Sequence, residues 1–202
     1  MKKLTILIAL FFLFPSPVFA IEEMTDENIK KAIEYGKNPE TCPFTAKVYT
    51  IYKGQKGGGS DGQITEITSE TPFLKLCQAS NIAKSRYEKF SLKEAKTLLE
   101  ETNFFRIICL FGAKFPAFLP NHGLLVQIKN NSSEVIIQPL KAEYEDMSPR
   151  SYSHPGLSQI GILTLDFPLS KINQHLKTFL ILIPSRSGLA GRKFKIDLKK
   201  IR

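Results

Sequence analysis

The sequence predicts an α+β protein in which a helix-rich N-terminal part with a small β-hairpin, residues 21–102, precedes an antiparallel β-sandwich, residues 103–202. Two observations support this fold class. Helix-capping signals recur before residue 102, each followed by apolar residues at helical spacing. After residue 103, short apolar runs alternate with turn residues, without the strand–helix alternation that builds parallel sheets.

The first twenty residues have the three parts of a secretory signal peptide. The positive pair Lys2–Lys3 precedes an apolar run from Leu4 to Phe14, and Ala20 ends the motif that signal peptidase recognises. The apolar run stops at Pro15, short of the ~20 residues that a membrane-spanning helix needs, so cleavage is favoured over an uncleaved anchor. We therefore expect an extracytoplasmic protein, periplasmic or secreted, that begins near Ile21 and has no transmembrane span after cleavage.

The positive charge belongs to the second half of the chain. The formal charge of +9 falls to +7 when Lys2 and Lys3 are removed with the signal peptide, which leaves 182 of the 202 residues. Residues 21–120 hold 14 basic and 13 acidic side chains, whereas residues 121–202 hold 12 and 6. A chain of this length can bury a core without disulfides.

Three segments of the N-terminal part carry helix signals, and each begins at a serine or threonine that can cap a helix. Pro72 occupies the first helical position of the second segment, and Glu94 completes a capping box with Ser91. Gly36 is predicted to stop the first helix. The predicted helices run from Thr25 to Tyr35, from Thr71 to Tyr87 and onward from Ser91.

The remaining regular structure is predicted to be β. Ala46–Lys53 and Gln63–Thr68 form a hairpin around the loop Gly54–Gly62. The later strands resemble an immunoglobulin-like sandwich in their spacing only, which implies no function because such sandwiches have many unrelated roles. These predicted strands are Phe104–Phe111, Leu124–Ile128, Glu134–Gln138, Ile160–Phe167, Phe179–Ile183 and Phe194–Ile201.

The three cysteines have different predicted fates. An exported chain can form disulfides, and Cys42 and Cys77 are the candidates for a pair. Cys109 lies in an apolar run, where a cysteine usually acts as a small buried hydrophobe. Neither C-x-x-C nor H-x-x-x-H spacing occurs, so we expect no metal and no cofactor.

The loop Gly57–Gly62 matches two catalytic patterns, G-x-G-x-x-G and G-x-S-x-G. Both need a helix after the loop, whereas Gln63–Thr68 is predicted to be a strand. Asp166 and His175 follow Ser60 in the chain order of a hydrolase. A flexible hairpin loop is the favoured interpretation, and a secreted hydrolase using Ser60 is the alternative.

The same alternative class includes a thiol enzyme built on Cys109 with His122, His154 or His175. The apolar neighbours of Cys109 argue against it, because burial raises the pKa of a thiol and leaves it inert. A separate cluster of carboxylates, Glu143 to Asp146, is predicted to be a solvated turn. Catalytic residues are therefore not assigned.

The basic C-terminal segment is the strongest non-random feature. Phe194, Ile196 and Leu198 alternate with charged residues, so a terminal strand would bury the apolar side chains and expose the charges. Such lysines can protect an edge strand or attract an anionic partner. The candidate contact residues are Arg186, Arg192, Lys193, Lys195, Lys199 and Lys200.

From these features we expect a non-enzymatic binding or structural protein of the cell envelope. Its basic C-terminal face would contact an anionic envelope component or another envelope protein through long-range attraction. Nucleic acid is not an expected partner, because the chain is exported and lacks an aromatic stacking motif.

Overall fold

The computed structural model describes residue 21 and residues 23–38, 49–54, 64–111, 123–130, 132–147, 160–182 and 192–201. Within these ranges the chain forms three α-helices and two antiparallel β-sheets, which confirms the predicted α+β class. The helices are α1 (Asp26–Lys37), α2 (Pro72–Ser85) and α3 (Leu92–Thr102). None of these helices is long and apolar enough to cross a membrane.

The three predicted helix starts are confirmed by their caps. The hydroxyl oxygens of Thr25 and Thr71 each accept a hydrogen bond from the backbone N–H three residues later, at 3.3 Å. Ser91 and Glu94 exchange hydrogen bonds as a capping box, and these bonds hold the pKa of the Glu94 carboxyl below its usual value. Each cap satisfies an N–H that the helix leaves without a partner, which fixes where the helix begins.

The ends of α1 and α2 differ from the prediction. Gly36 does not stop α1, because the helix continues to Lys37 and Gly36 is buried within it. A Cβ atom at Gly36 would lie 2.2 Å from the carbonyl oxygen of Cys77, so the glycine permits a close approach of two helices. Helix α2 ends at Ser85, and Tyr87 adopts a φ of 60°, which belongs to a turn and not to a right-handed helix.

Nine strands occur in the described ranges and form two sheets. The five-stranded sheet has the order β1-β2-β3-β7-β6, and the four-stranded sheet has the order β5-β4-β8-β9. The strands are β1 (Tyr49–Lys53), β2 (Ile64–Glu70), β3 (Phe104–Phe111), β4 (Gly123–Lys129), β5 (Ser133–Ile137), β6 (Lys141–Met147), β7 (Ile160–Pro168), β8 (Lys177–Leu182) and β9 (Arg192–Ile196).

The predicted hairpin forms, since β1 and β2 pair antiparallel. Strand β2 also pairs antiparallel with β3, so the hairpin extends the five-stranded sheet. Its Ile64 and Ile67 belong to the core between the sheets. The five-stranded sheet therefore crosses the predicted division at residue 102, and α2 and α3 are an insertion between two paired strands.

Two separate apolar clusters hold the fold together. The larger lies between the sheets and contains alternate residues of β3 from Phe105 to Phe111, facing Leu180 and Leu182 of β8. The smaller lies among the helices and includes Ile29 and Leu76. Because burial of each large apolar side chain contributes about 1.5–3 kcal/mol, the helices and the sandwich each have their own source of stability.

Strand β6 was not predicted as a strand. The prediction of a solvated turn around Glu143 is wrong, because Lys141–Met147 pairs along its whole length with β7. Its Ala142 and Tyr144 pack against the core, whereas Glu143 and Glu145 are exposed. Only Ala142 and Tyr144 follow the period-two pattern in the sequence of this edge strand, and Asp146 interrupts it.

The C-terminal strand is shorter than predicted. Strand β9 ends at Ile196, and Leu198–Lys200 forms a 3-10 turn capped by the Asp197 side chain. Ile196 and Leu198 are buried, as the alternation predicted. The turn then adds Ile201 to the core, so the segment changes from strand to turn without leaving the sandwich.

Candidate functional site

The outward side of the four-stranded sheet combines apolar side chains with lysines. Strand pairing arranges these side chains in three rows across the sheet, and each row ends in a lysine. Neighbouring strands lie about 4.8 Å apart, so the longest row spans about 14 Å. We call this surface the amphipathic face. Its rows are Ile136–Val126–Phe179–Lys195, Leu124–Ile181–Lys193 and Glu134–Ile128–Lys177.

The lysines lie at the β8 and β9 side of the face. Lys193 and Lys195 are exposed and point outward, because the intervening Phe194 packs against the core. The Lys193 ammonium lies 4.1 Å from the centre of the Phe179 ring, in a cation–π contact. This contact holds a positive charge directly beside the apolar part of the face.

The apolar part lies on β4, β5 and β8. Val126 is only 3 % exposed although it points away from the core, because apolar neighbours on its own and adjacent strands surround it. Ile136 on the edge strand β5 is 59 % exposed. The apolar part of the face therefore includes a large exposed side chain at the edge of the sheet.

Polar contacts on the inner side fix the strands that carry the face. The Gln127 amide donates to the Thr178 hydroxyl and to the Asn173 carbonyl, both at 2.8 Å, and its oxygen accepts from the Asn173 N–H. Gln127 and Thr178 are buried. This network joins β4, β8 and the turn before β8, so the outward side chains stand on a rigid support.

The predicted basic contact residues do not lie on one surface. Lys193 and Lys195 belong to the amphipathic face. Arg192 precedes Lys193 in β9, so the alternation of the strand places it on the opposite side of the sheet. Lys199 and Lys200 are in the 3-10 turn, where Lys200 lies 3.8 Å from Asp197. Arg186 lies outside the described residues.

The apolar half of the face was missed by the sequence interpretation. Leu124–Ile128 is an almost continuous apolar run, which indicates a strand with apolar side chains on both sides. Lys177 was missed because it stands alone in the sequence, and only strand pairing places it beside Ile128.

The outward side of the five-stranded sheet has a different charge pattern. Glu70, Arg106, Asp166 and Lys141 lie in register across four strands with alternating sign. The Arg106 guanidinium donates two hydrogen bonds to Asp166, at 2.7 and 2.9 Å, and these raise the pKa of Arg106. Charges of opposite sign are neighbours within this row, so the row itself has little net attraction for an ion.

The residues of the alternative hydrolase are not brought together within the described ranges. Cys109 is completely buried in the core, and this burial strongly raises the pKa of its thiol, which leaves it unreactive. Asp166 is bound by Arg106 and is not available to orient a histidine. His175 is exposed in a turn, and Ser60, His122 and His154 lie outside the described residues.

The described residues contain no group of three or more histidine, cysteine or acidic side chains that could hold a metal ion. The expectation of no metal and no cofactor remains a prediction.

A Cys42–Cys77 disulfide also remains a prediction, since Cys42 lies outside the described residues. Cys77 is buried on α2, and its carbonyl oxygen lies close to Gly36, near the C-terminal end of α1. Cys42 follows Asn38 by four residues, and four residues span at most about 14 Å. Cys42 therefore follows closely, in the sequence, the part of α1 that packs against Cys77.

For a Cys42–Cys77 pair we expect alkylation of the denatured but unreduced protein to label one thiol, that of Cys109. Mass spectrometry of the alkylated chain gives the number of labels. The matched variant Cys77→Ser should then show two labels, on Cys42 and Cys109. Labelling of all three cysteines in the unreduced wild type would refute the pair.

No protein-family model matches the chain, and no curated protein matches it at a significant level.

Proposed function

We propose that this is an exported, non-enzymatic binding protein whose amphipathic face binds an anionic amphiphile of the cell envelope, a molecule or surface that presents acidic groups beside apolar ones. The observation that supports this proposal best is the arrangement of the rows, each of which leads from apolar side chains to a lysine. The predicted signal peptide supports the location, and the buried Cys109 argues against the thiol version of the hydrolase alternative.

The chemistry of the face favours an amphiphile over a simple anion. A binding site for a simple anion needs only positive charge. This face also exposes Ile136, where a polar residue would interact better with water. Lysine ammonium groups attract an acidic surface over a distance set by the salt concentration. Contact then allows apolar groups of the partner to cover Ile136 and Phe179.

The lysines should control binding to anionic lipid vesicles. The double variant Lys193→Gln/Lys195→Gln is expected to lower partitioning onto vesicles with one third anionic phospholipid about 30-fold, since each lysine near such a surface contributes about 1 kcal/mol. Sedimentation of the vesicles measures the bound fraction. Higher salt should weaken binding of the wild type, because ions screen the attraction.

A matched control variant removes two positive charges away from the amphipathic face. Lys89→Gln/Lys93→Gln removes two exposed lysines near the start of α3, and it should bind vesicles about as well as the wild type. The apolar half is tested by Ile136→Ser, which should reduce vesicle binding about fivefold but leave binding to dextran sulfate unchanged. Equal losses in both double lysine variants, or salt-independent binding, would contradict the proposal.

A further inference from the structure

Ile21, the first residue after the predicted cleavage point, is built into the sandwich. Its side chain is only 6 % exposed and belongs to the core between the sheets. Its carbonyl oxygen accepts a hydrogen bond from the side-chain amide of Gln174, in the turn that precedes β8. A residue that merely connected a leader to a folded domain would not need either contact.

The same Gln174 side chain carries an unused acceptor. Its Oε1 atom is buried and has no hydrogen-bond partner, and it is the one such side-chain atom in the described part of the chain. A buried polar atom without a partner destabilises a fold, because it has lost its hydrogen bonds to water. This acceptor belongs to the amide group that already holds the Ile21 carbonyl.

We infer that Gln174 is the receptor for the new N-terminus of the processed protein: its Oε1 accepts a hydrogen bond from the α-ammonium group of Ile21. The inference rests on cleavage after Ala20 and is independent of what the amphipathic face binds. In the cleavage, water adds across the Ala20–Ile21 peptide bond. The OH of the water joins the Ala20 carbonyl carbon to form a carboxyl group, and the other hydrogen goes to the Ile21 nitrogen. The resulting amine takes up a further proton at neutral pH.

Ile21 in the uncleaved chain and Ile21 as the new N-terminus differ in where their N–H groups can point. In the uncleaved chain, the Ile21 nitrogen has a single N–H, and the planar peptide bond fixes its direction. An ammonium group has three N–H donors that rotate about the N–Cα bond. The free amine can therefore direct a donor to Oε1 while the carbonyl of the same residue stays bound to Nε2.

The test compares the mature chain starting at Ile21 with a chain that carries one additional glycine before Ile21. The glycine replaces the ammonium group by a peptide N–H and leaves the Ile21 side chain unchanged. We expect the extended chain to melt about 4–8 °C lower, because it loses a hydrogen bond to a charged group. Differential scanning calorimetry measures the two temperatures.

As a control, the same two chains are compared with the substitution Gln174→Leu, which removes the proposed acceptor. There the additional glycine should change the melting temperature by less than about 1 °C, since it removes an interaction that no longer exists. An equal loss in both backgrounds, or no loss in the wild type, would overturn the inference.

A second measurement covers the case in which Gln174→Leu does not fold. The α-amine of the folded mature protein should react with a methylating reagent at least tenfold more slowly than the α-amine of the unfolded chain. Equal rates would overturn the inference as well. Vesicle binding should be the same with and without the additional glycine, so failure here is distinguishable from failure of the proposed function.

Discussion

Replacing Arg106 by methionine is expected to lower the free energy of unfolding by about 3–5 kcal/mol, because it leaves the buried Asp166 carboxylate without its partner. The Asp166 side chain is 4 % exposed, and both of its oxygens accept hydrogen bonds from Arg106. Little water can replace those bonds at such a position. Urea denaturation followed by circular dichroism measures the loss.

Two further variants separate a buried pair from an exposed one. Lys141→Met removes another cation of the same row, but Lys141 is largely exposed in its ion pair with Glu143, so the expected loss is below about 1 kcal/mol. Arg106→Met combined with Asp166→Val removes both charges, and it should recover most of the stability. If Arg106→Met costs no more than Lys141→Met, the pair is solvated and the expectation is wrong.

Replacing Gly36 by alanine is expected to destabilise the helical part by about 2 kcal/mol, although alanine is the better helix former. A Cβ atom there would lie 2.2 Å from the Cys77 carbonyl oxygen and 2.6 Å from the Ser80 Cβ. Neither atom can move freely, since one is backbone and the Ser80 hydroxyl donates to the Ile33 carbonyl across the two helices. An overlap this close to a backbone atom belongs at the upper end of the roughly 1–3 kcal/mol typical of overpacking, so a net loss of about 2 kcal/mol remains after the gain in helix propensity of about 1 kcal/mol.

The same denaturation experiment tests Gly36→Ala. Lys30→Ala is the matched control on the exposed side of α1, and it should change stability by no more than about 0.5 kcal/mol. A stabilised Gly36→Ala variant would show that α1 and α2 do not approach this closely. In that case Gly36 would have no packing role between the two helices.

Local features were predictable from the sequence because local interactions produce them. Thr25, Thr71 and Ser91 cap their helices as expected, since a cap involves residues only three positions apart. The burial of Cys109 was expected from its apolar run, and the burial of Ile196 and Leu198 from their alternation with charged residues. The α+β class follows from the same signals.

Tertiary structure decided whatever depends on residues far apart in the chain. Strand pairing brings Lys177, Lys193 and Lys195 to one side of a sheet and joins them to the apolar side chains of β4 and β5. Pairing of β2 with β3 places the hairpin in the sandwich, and close packing of two helices gives Gly36 its role. No local pattern encodes these contacts.

The sequence by itself determined the class of fold, the helix starts, the alternation of buried residues and an excess of positive charge near the C-terminus. Only the tertiary structure decided which of those charges share a surface and what lies beside them. It also decided that Ile21 and Gln174, separated by 153 positions, meet at the core. The physical reason is that capping and periodicity act over a few residues, whereas a surface or a buried contact is made by the packing of distant strands.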